Sequence, residues 1–163
     1  MIKTEKSSRE SVTENVNLVL PSHANALGTA FGGTIISWID ITAAICAQRH
    51  SSSICVTASI DALNFLSPAL VGDTVSLKAK VIYTGRTSMM IHVDVTAQNL
   101  KDRTPRKCAD AYLTFVAIDE QRRPKAVPTL KLESDAERIE YELAAKRRES
   151  LLAQKAQPQS YNP

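Results

Sequence analysis

The sequence has few cysteines, few aromatic residues and no long apolar run. Only three of its 163 residues are cysteine, 5% are aromatic, and no apolar run approaches the ~18 residues that a membrane-spanning helix needs. The cysteines are odd in number, lack C-x-x-C spacing and lie in apolar segments. We therefore interpret Cys46, Cys55 and Cys108 as buried reduced thiols, and exclude a disulfide scaffold and a thiol-based metal site.

The charge pattern argues against nucleic acid as a partner. The formal net charge is only +3, and the basic residues do not alternate with exposed aromatics as a nucleic-acid platform requires. The N-terminal stretch lacks the apolar segment of a secretory signal, which predicts a cytoplasmic protein with no membrane association. Because His23, His50 and His92 lack ligand-like spacing, we expect no metal site.

Length and composition predict one globular domain with additions at its ends. At 163 residues and 44% hydrophobic, the chain can bury one substantial core. Polar composition predicts flexible termini. The predicted organisation is a flexible N-terminus (1–10), a main domain (11–130), a C-terminal helix (131–155) and a disordered tail (156–163).

Alternating apolar residues predict an antiparallel sheet. Val16, Leu18 and Leu20 alternate with polar residues in a half-buried strand that Pro21 ends. Further strands are predicted over 54–62 (continuing or bending through 64–68), 74–83, 88–98 and 107–118. One helix near the start and then only strands indicate an α+β fold, a curved antiparallel sheet around a helix. Its open edges predict a homodimer as the minimum assembly.

The sequence from residue 131 to 155 predicts a helix that docks on the protein surface. Ser134 and Glu137 have the S-x-x-E spacing of a capping box. One weak apolar stripe follows on a single helical face, formed by Ile139, Leu143, Arg147 and Leu151. Such a charged, thinly apolar helix is stable only when it packs on another surface.

The segment from His23 to His50 contains the predicted helix around which the sheet is expected to curve. Its glycines, Gly28, Gly32 and Gly33, mark a turn that opens a helix from about Thr34. That helix is apolar on nearly every face, so we expect it to be enclosed. Asp40 is the exception, since a carboxylate is almost never buried without a partner.

Three groups in this segment suit attack on a carbonyl. The helix N-terminus at Gly33 offers free backbone N–H groups for an oxyanion, and Asn25 can both donate and accept. Asp40 is a potential base. A structural ion pair or loop cap is the alternative interpretation of Asp40.

The pattern N-x-x-G-x-x-F-G-G-x(6)-D, from Asn25 to Asp40, resembles the hotdog-fold acyl-CoA thioesterases. The later segments Val56-Thr57-Ala58 and Gly85-Arg86-Thr87-Ser88 extend the resemblance over about residues 10–150. It implies an acyl-CoA thioester hydrolase, assembled as dimers and further as trimers of dimers (hexamers) or tetramers. We expect medium- to long-chain substrates, because an apolar channel discriminates one methylene by only ~1–3 kcal/mol. Coenzyme A is then part of substrate and product, and no cofactor is implied.

The resemblance also implies site residues. Catalysis falls to Asn25, Gly33 and Asp40, with Asp40 as general base or, alternatively, as nucleophile. Contacts to substrate and coenzyme A fall to Gly32, Val56, Thr57, Ala58, Arg86, Thr87 and Ser88. From the residues alone, candidate cations for the phosphates are Arg86, Arg103, Arg106, Lys107, Arg122, Arg123 and Lys125, and a solvated surface charge is the alternative interpretation of each.

Two other functions fit the same fold. One is a non-catalytic acyl-CoA-binding sensor, against which the presence of both Asn25 and Asp40 argues. The other is a dehydratase, which needs a histidine in the site, whereas this helix offers none before His50. The residues do not determine acyl-chain length.

Overall fold

The computed structural model describes residues 4–156. Within this part of the chain, two α-helices and seven β-strands form one α+β unit, which confirms the predicted fold class. The strands are β1 (Glu5–Ser7), β2 (Thr13–Leu18), β3 (Ile54–Phe65), β4 (Thr74–Thr84), β5 (Ser88–Gln98), β6 (Arg106–Ile118) and β7 (Thr129–Lys131), and the helices are α1 (Gly32–Ser51) and α2 (Asp135–Ala156). Within residues 4–156, no helix is both long and apolar enough to cross a membrane.

Five strands form the main sheet, in the order β2-β4-β5-β6-β3, and every neighbouring pair is antiparallel. Alternate residues of β4, β5 and β6 are fully buried, because one face of these strands packs beneath α1. Phe115 and Leu113 are among the largest buried side chains there. Strand β3 is an edge strand with two register shifts, after Thr57 and after Ile60.

Helix α1 is not enclosed within one chain, contrary to the expectation from its composition. Its sheet-facing side is buried at Ile35, Ile39 and Ala43, but Ile41 and Ile45 are 50% and 38% exposed. One curved sheet covers only one side of a helix. A second apolar surface is needed to cover the other side.

Strand β2 presents the face opposite to the one predicted. Its apolar residues Val16 and Leu18, and Leu20 after it, are exposed, whereas Thr13 is buried. The inward side is polar, since Asn15 Nδ2 donates to Thr42 Oγ1 on α1 at 3.4 Å. The predicted alternation is present, but it does not show which side meets the helix.

The N-terminal segment differs from the predicted flexible terminus. Strand β1 pairs in parallel with β7, and residues 8–10 form a 3-10 helix. Ser8 Oγ donates to Glu137 Oε1 at 2.8 Å, and Arg9 forms an ion pair with Glu133 at 2.6 Å. These contacts join residues far apart in sequence, which local composition does not reveal. Residues 1–3, and 157–163 of the predicted disordered tail, lie outside the described residues.

Helix α2 packs on the outer face of the sheet, as a surface-docked helix should. The predicted cap is present, because the Glu137 amide donates to Ser134 Oγ at 3.2 Å. The docking face is built around Ala144, which packs with Ile82 and Met90. Ile139 and Leu143 of the predicted stripe are each 61% exposed, so that part of the prediction was wrong.

A buried carboxylate fixes the turn before β4. Asp73 is fully buried and accepts hydrogen bonds from the Leu70 amide (2.8 Å), Asn99 Nδ2 (3.2 Å) and the Arg106 guanidinium. Burial alone would raise the pKa of Asp73, but these hydrogen bonds and the positive charge of Arg106 outweigh it and lower the pKa below its ordinary 3.8. The ionised carboxylate therefore stabilises the fold.

We expect Asp73→Asn to lower the free energy of unfolding by about 2 kcal/mol at pH 7. The pKa is lower in the folded than in the unfolded chain, so the contribution is complete above the unfolded value near 3.8 and disappears as pH falls through the folded pKa. Urea denaturation at pH 7 and in the acid range measures it. Asp102→Asn, in an exposed loop, is the control, and an equal effect of both substitutions would contradict the assignment.

Candidate active site

The N-terminus of α1 has unpaired amides flanked by the rings of Phe31 and Phe65. Phe31 occupies the N-cap position without a side-chain cap hydrogen bond, and its carbonyl accepts from the amides of Thr34 and Ile35. Among the described residues, no acceptor is present for the amides of Gly32 and Gly33. A Cβ on Gly33 would lie only 2.5 Å from the Phe31 ring, so glycine lets this ring lie close against the helix start. The helix start can thus receive an anion or a polarised oxygen.

Asn25 holds the loop that precedes this helix. Its Oδ1 accepts from the amides of Leu27 (2.9 Å) and Thr29 (3.2 Å), and its Nδ2 donates to Thr29 Oγ1 (2.8 Å). A primary amide has two N–H donors, and the second has no acceptor among the described residues. The side chain is exposed. Asn25 is therefore fixed in position with one donor available for a ligand.

Asp40 is half-buried on α1, and its partner comes from the next strand. Thr57 Oγ1 donates to Asp40 Oδ1 at 2.7 Å. Within residues 4–156, no cation forms an ion pair with Asp40. A single chain therefore does not form the structural ion pair considered above for this residue. The sequence marked Thr57 as a substrate contact. The structure places it where it orients the Asp40 carboxylate and leaves Oδ2 open.

An apolar cavity of about 360 Å³ opens beside the helix N-terminus. Gly32 and Ile35 line it from α1, and residues 65–69 and Cys108 from the sheet. Asp40 is not among the described residues that line this cavity. The carboxylate and the cavity at the amides are therefore separate features of a single chain.

The other sequence-predicted contacts on β3 lie on an exposed surface. Val56 is 44% exposed, Ala58 is exposed, and Ile54 and Ile60 extend the same edge strand with apolar side chains. Thr57 links this strand to Asp40. An apolar surface thus adjoins the carboxylate.

The segment Arg86-Thr87-Ser88 forms the tight turn between β4 and β5. The Gly85 amide donates to the Ser88 carbonyl at 2.8 Å, and the carbonyls of Thr87 and Arg86 accept from the amides of Ala117 and Val127 at 3.0 Å. Arg86 is exposed, and Ser88 is largely buried. The backbone of this hairpin is fixed, whereas the Arg86 guanidinium remains open to solvent.

Several candidate cations are already engaged within the fold. Arg106 binds the buried Asp73, Lys107 pairs with Asp94 (3.2 Å) and Asp110 (3.1 Å), and Arg123 pairs with Asp119 (3.1 Å). Each of these three cations has a carboxylate partner within the chain, and a role for them as phosphate ligands stays a prediction. The candidates without an ion pair among the described residues are Arg86, Arg103, Arg122 and Lys125.

His50, His92 and the three cysteines have structural environments. His50 is fully buried between Ser11 Oγ and the Pro128 carbonyl, each at 3.2 Å, and burial lowers its pKa. His92 pairs with Asp110 beneath α2. All three cysteines are buried and unbridged, and burial raises the pKa of Cys46 to about 12. No cluster within residues 4–156 has the ligands for a metal ion.

Comparison with known proteins places this geometry in a family. The thioesterase superfamily model matches residues 27–103. An uncharacterised acyl-CoA thioester hydrolase of Bacillus subtilis is 35% identical over 139 residues, which is 85% of this chain and 81% of the relative. The chain belongs to the acyl-CoA thioester hydrolase family. A crystal structure of a hexameric acyl-CoA thioesterase superposes with a TM-score of 0.90 at 40% identity, covering 94% of this chain and 98% of that one.

A second solved relative is the acyl-CoA hydrolase of Staphylococcus aureus, crystallised with butyryl coenzyme A, coenzyme A and coenzyme A disulfide. It is 37% identical, with a TM-score of 0.86 over 93% of this chain and 92% of that one. The S. aureus enzyme has also been crystallised as alanine variants of an asparagine, an aspartate and a threonine. These three residues are separated by the same intervals as Asn25, Asp40 and Thr57 here.

Proposed function

We propose that this member of the family hydrolyses medium- to long-chain fatty acyl-CoA to free fatty acid and coenzyme A, with Asp40 activating the water. The observation that carries the proposal is the half-buried Asp40 carboxylate, held by Thr57 at 2.7 Å and free of any ion pair among the described residues. The intervals shared with the S. aureus variants support the same residues. A carboxylate oriented but not neutralised suits a general base.

In the proposed reaction, the thioester carbonyl oxygen lies at the helix N-terminus and accepts from the Gly33 amide. The second N–H of Asn25 orients the carbonyl or the water. Asp40 Oδ2 takes a proton as the water oxygen bonds to the carbonyl carbon, and the oxyanion forms at the amides. Collapse breaks the carbon–sulfur bond, and the proton passes to the departing thiolate. A fixed donor at the oxyanion contributes about 3 kcal/mol to barrier lowering.

The proposed site combines two chains. Seven residues separate Gly33 from Asp40, which at ~1.5 Å per residue is about 10 Å along the helix. A base must approach within ~3 Å of the water that it activates. If two α1 helices pack antiparallel across a two-fold axis, the N-terminus of one lies beside Asp40 of the other. The exposed Ile41 and Ile45, together with the apolar edge of β3, support such packing.

A homodimer is therefore the minimum assembly that we propose, and hexameric relatives support a trimer of dimers. Arg86, Thr87 and Ser88 are proposed contacts for the nucleotide end of coenzyme A, and the β3 residues Val56 and Ala58 for its pantetheine arm. The exposed Arg86 side chain supports the first assignment. The resident groups suffice for this reaction, so we propose no cofactor.

The alternatives have less support. A dehydratase needs a histidine at the carbonyl, but His50 is buried with both ring nitrogens engaged and His92 lies beneath α2. His23 Nδ1 accepts from the Leu20 amide at 3.2 Å, and its ring packs edge-on against Trp38. A non-catalytic acyl-CoA sensor has no use for an oriented base. Both Asn25 and Asp40 are present and positioned.

We expect hydrolysis of several medium and long acyl chains. The cavity at the helix N-terminus is predominantly apolar, and such a channel discriminates one methylene by only ~1–3 kcal/mol. Release of free thiol from a series running from acetyl-CoA to palmitoyl-CoA tests this. Activity confined to one short acyl group would contradict it.

A further inference from the structure

The cavity at the helix N-terminus has an exposed mouth and a buried end. Phe65 and Leu66 line it at the end of β3 and are 54% and 57% exposed, so they lie at the mouth. The buried end consists of side chains that are at most 5% exposed, namely Ile35, Ala69, Cys108 and Ala109. All of these except Ile35 are small. The depth of the cavity therefore depends on small side chains at its buried end.

A bulge in β6 turns two of these residues inward together. Val95 of β5 pairs with Ala109. The next residue, Thr96, pairs with Lys107, so Cys108 is an extra residue in β6. Side chains alternate between the two faces of a regular strand, and a bulge lets consecutive residues face the same side. Cys108 and Ala109 are both buried and both line the cavity beneath α1.

Cys108 contributes shape to the cavity rather than reactivity. Its Sγ lies 3.9 Å from Ser67 Oγ, and burial raises the pKa of the thiol. The Ser67 hydroxyl also donates to the Lys107 carbonyl at 2.6 Å, which ties the cavity wall to β6. A neutral buried thiol behaves as a small apolar side chain, so an alkyl chain can lie against it.

We propose that Cys108 and Ala109 limit the length of acyl chain that the site accepts, because they form the floor of this cavity. The proposal rests on the acyl-CoA hydrolysis proposed above, with the carbonyl at the Gly33 amide and the acyl chain extending into the cavity. A short chain ends before the floor, whereas the last methylenes of a longer chain contact it. These two residues then determine specificity and take no part in the chemistry.

The test compares dodecanoyl-CoA with butyryl-CoA. Leucine has two more heavy atoms than cysteine, so Cys108→Leu should displace about two methylenes of the longer chain. Because each displaced methylene weakens binding about fourfold, the ratio of kcat/KM for dodecanoyl-CoA to that for butyryl-CoA should fall at least ~tenfold. Cys108→Ala opens space for about one methylene and should raise the ratio about fourfold.

Cys55→Leu is the matched control. Cys55 is also a buried cysteine, but it is not among the described residues that line the cavity. The same substitution there should leave the ratio at the wild-type value. Thermal melting verifies that each variant is folded. If Cys108→Leu does not fold, Cys108→Ala decides alone, since a raised ratio supports the proposal and an unchanged ratio overturns it. Equal losses on both substrates in Cys108→Leu would also overturn it.

Calorimetry separates this result from failure of the proposed function. S-butyl-CoA and S-dodecyl-CoA are thioethers that cannot be hydrolysed, so they report binding alone. If the wild type hydrolyses neither thioester, a Kd for S-dodecyl-CoA that rises about tenfold in Cys108→Leu, with that for S-butyl-CoA constant, still supports the proposed floor. Unchanged or equally changed Kd values contradict it.

Discussion

Asp40→Asn should lower kcat for acyl-CoA hydrolysis by at least ~100-fold with little change in KM. The amide has the shape of the carboxylate and can still accept a hydrogen bond from Thr57, so substrate binding should persist. It cannot take a proton from water. Steady-state release of free thiol measures the loss, and thermal melting verifies that the variant is folded.

Two further variants make this result specific. Asp61 is also half-buried and accepts from the Thr114 hydroxyl at 2.5 Å, but it lies beneath α2, so Asp61→Asn should leave turnover unchanged. Thr57→Val removes the hydrogen bond that orients Asp40 and should lower kcat by about tenfold. If Asp40→Asn retains near-normal turnover, Asp40 has no part in the mechanism.

Mixing two inactive variants should restore activity if each site uses two chains. Asn25→Ala removes the group beside the helix N-terminus, and Asp40→Ala removes the base. In a mixed dimer, one site then carries both intact residues and the other carries neither. Random exchange makes about half of the dimers mixed, so activity should return to roughly a quarter of the wild-type value, as follows from two-fold symmetry.

The same experiment distinguishes a site within one chain. If Asn25 and Asp40 act in the same chain, every site in the mixture still lacks one of them. Exchange is verified independently by mass spectrometry of differently tagged chains, and each variant alone supplies the baseline. Absence of recovery despite verified exchange would show that the two residues act within one chain.

The sequence predicts the central sheet well, because its alternation reflects burial under α1. The prediction for β5 matches the observed Ser88–Gln98, where each inward residue is fully buried. Strand β2 shows the limit of this signal. Polar residues form one face of β2 and apolar residues the other. The polar face turns inward, where Asn15 contacts Thr42 of α1.

Features that depend on distant pairing could not be predicted. Strands β1 and β7 have three residues each and pair Glu5 with Thr129, too short and too far apart for any local pattern. At the site, the sequence identifies Asn25, Asp40 and Thr57 separately. It does not show that Thr57 donates to Asp40, since that bond depends on how β3 lies against α1.

The most direct measurement is the stoichiometry of products from palmitoyl-CoA. The wild-type protein should release free coenzyme A thiol and palmitic acid in equal amounts over many turnovers, and Asp40→Asn should bind the substrate with little release. A sensor would bind palmitoyl-CoA in both forms without releasing thiol. That outcome in the wild-type protein would contradict hydrolysis as its function.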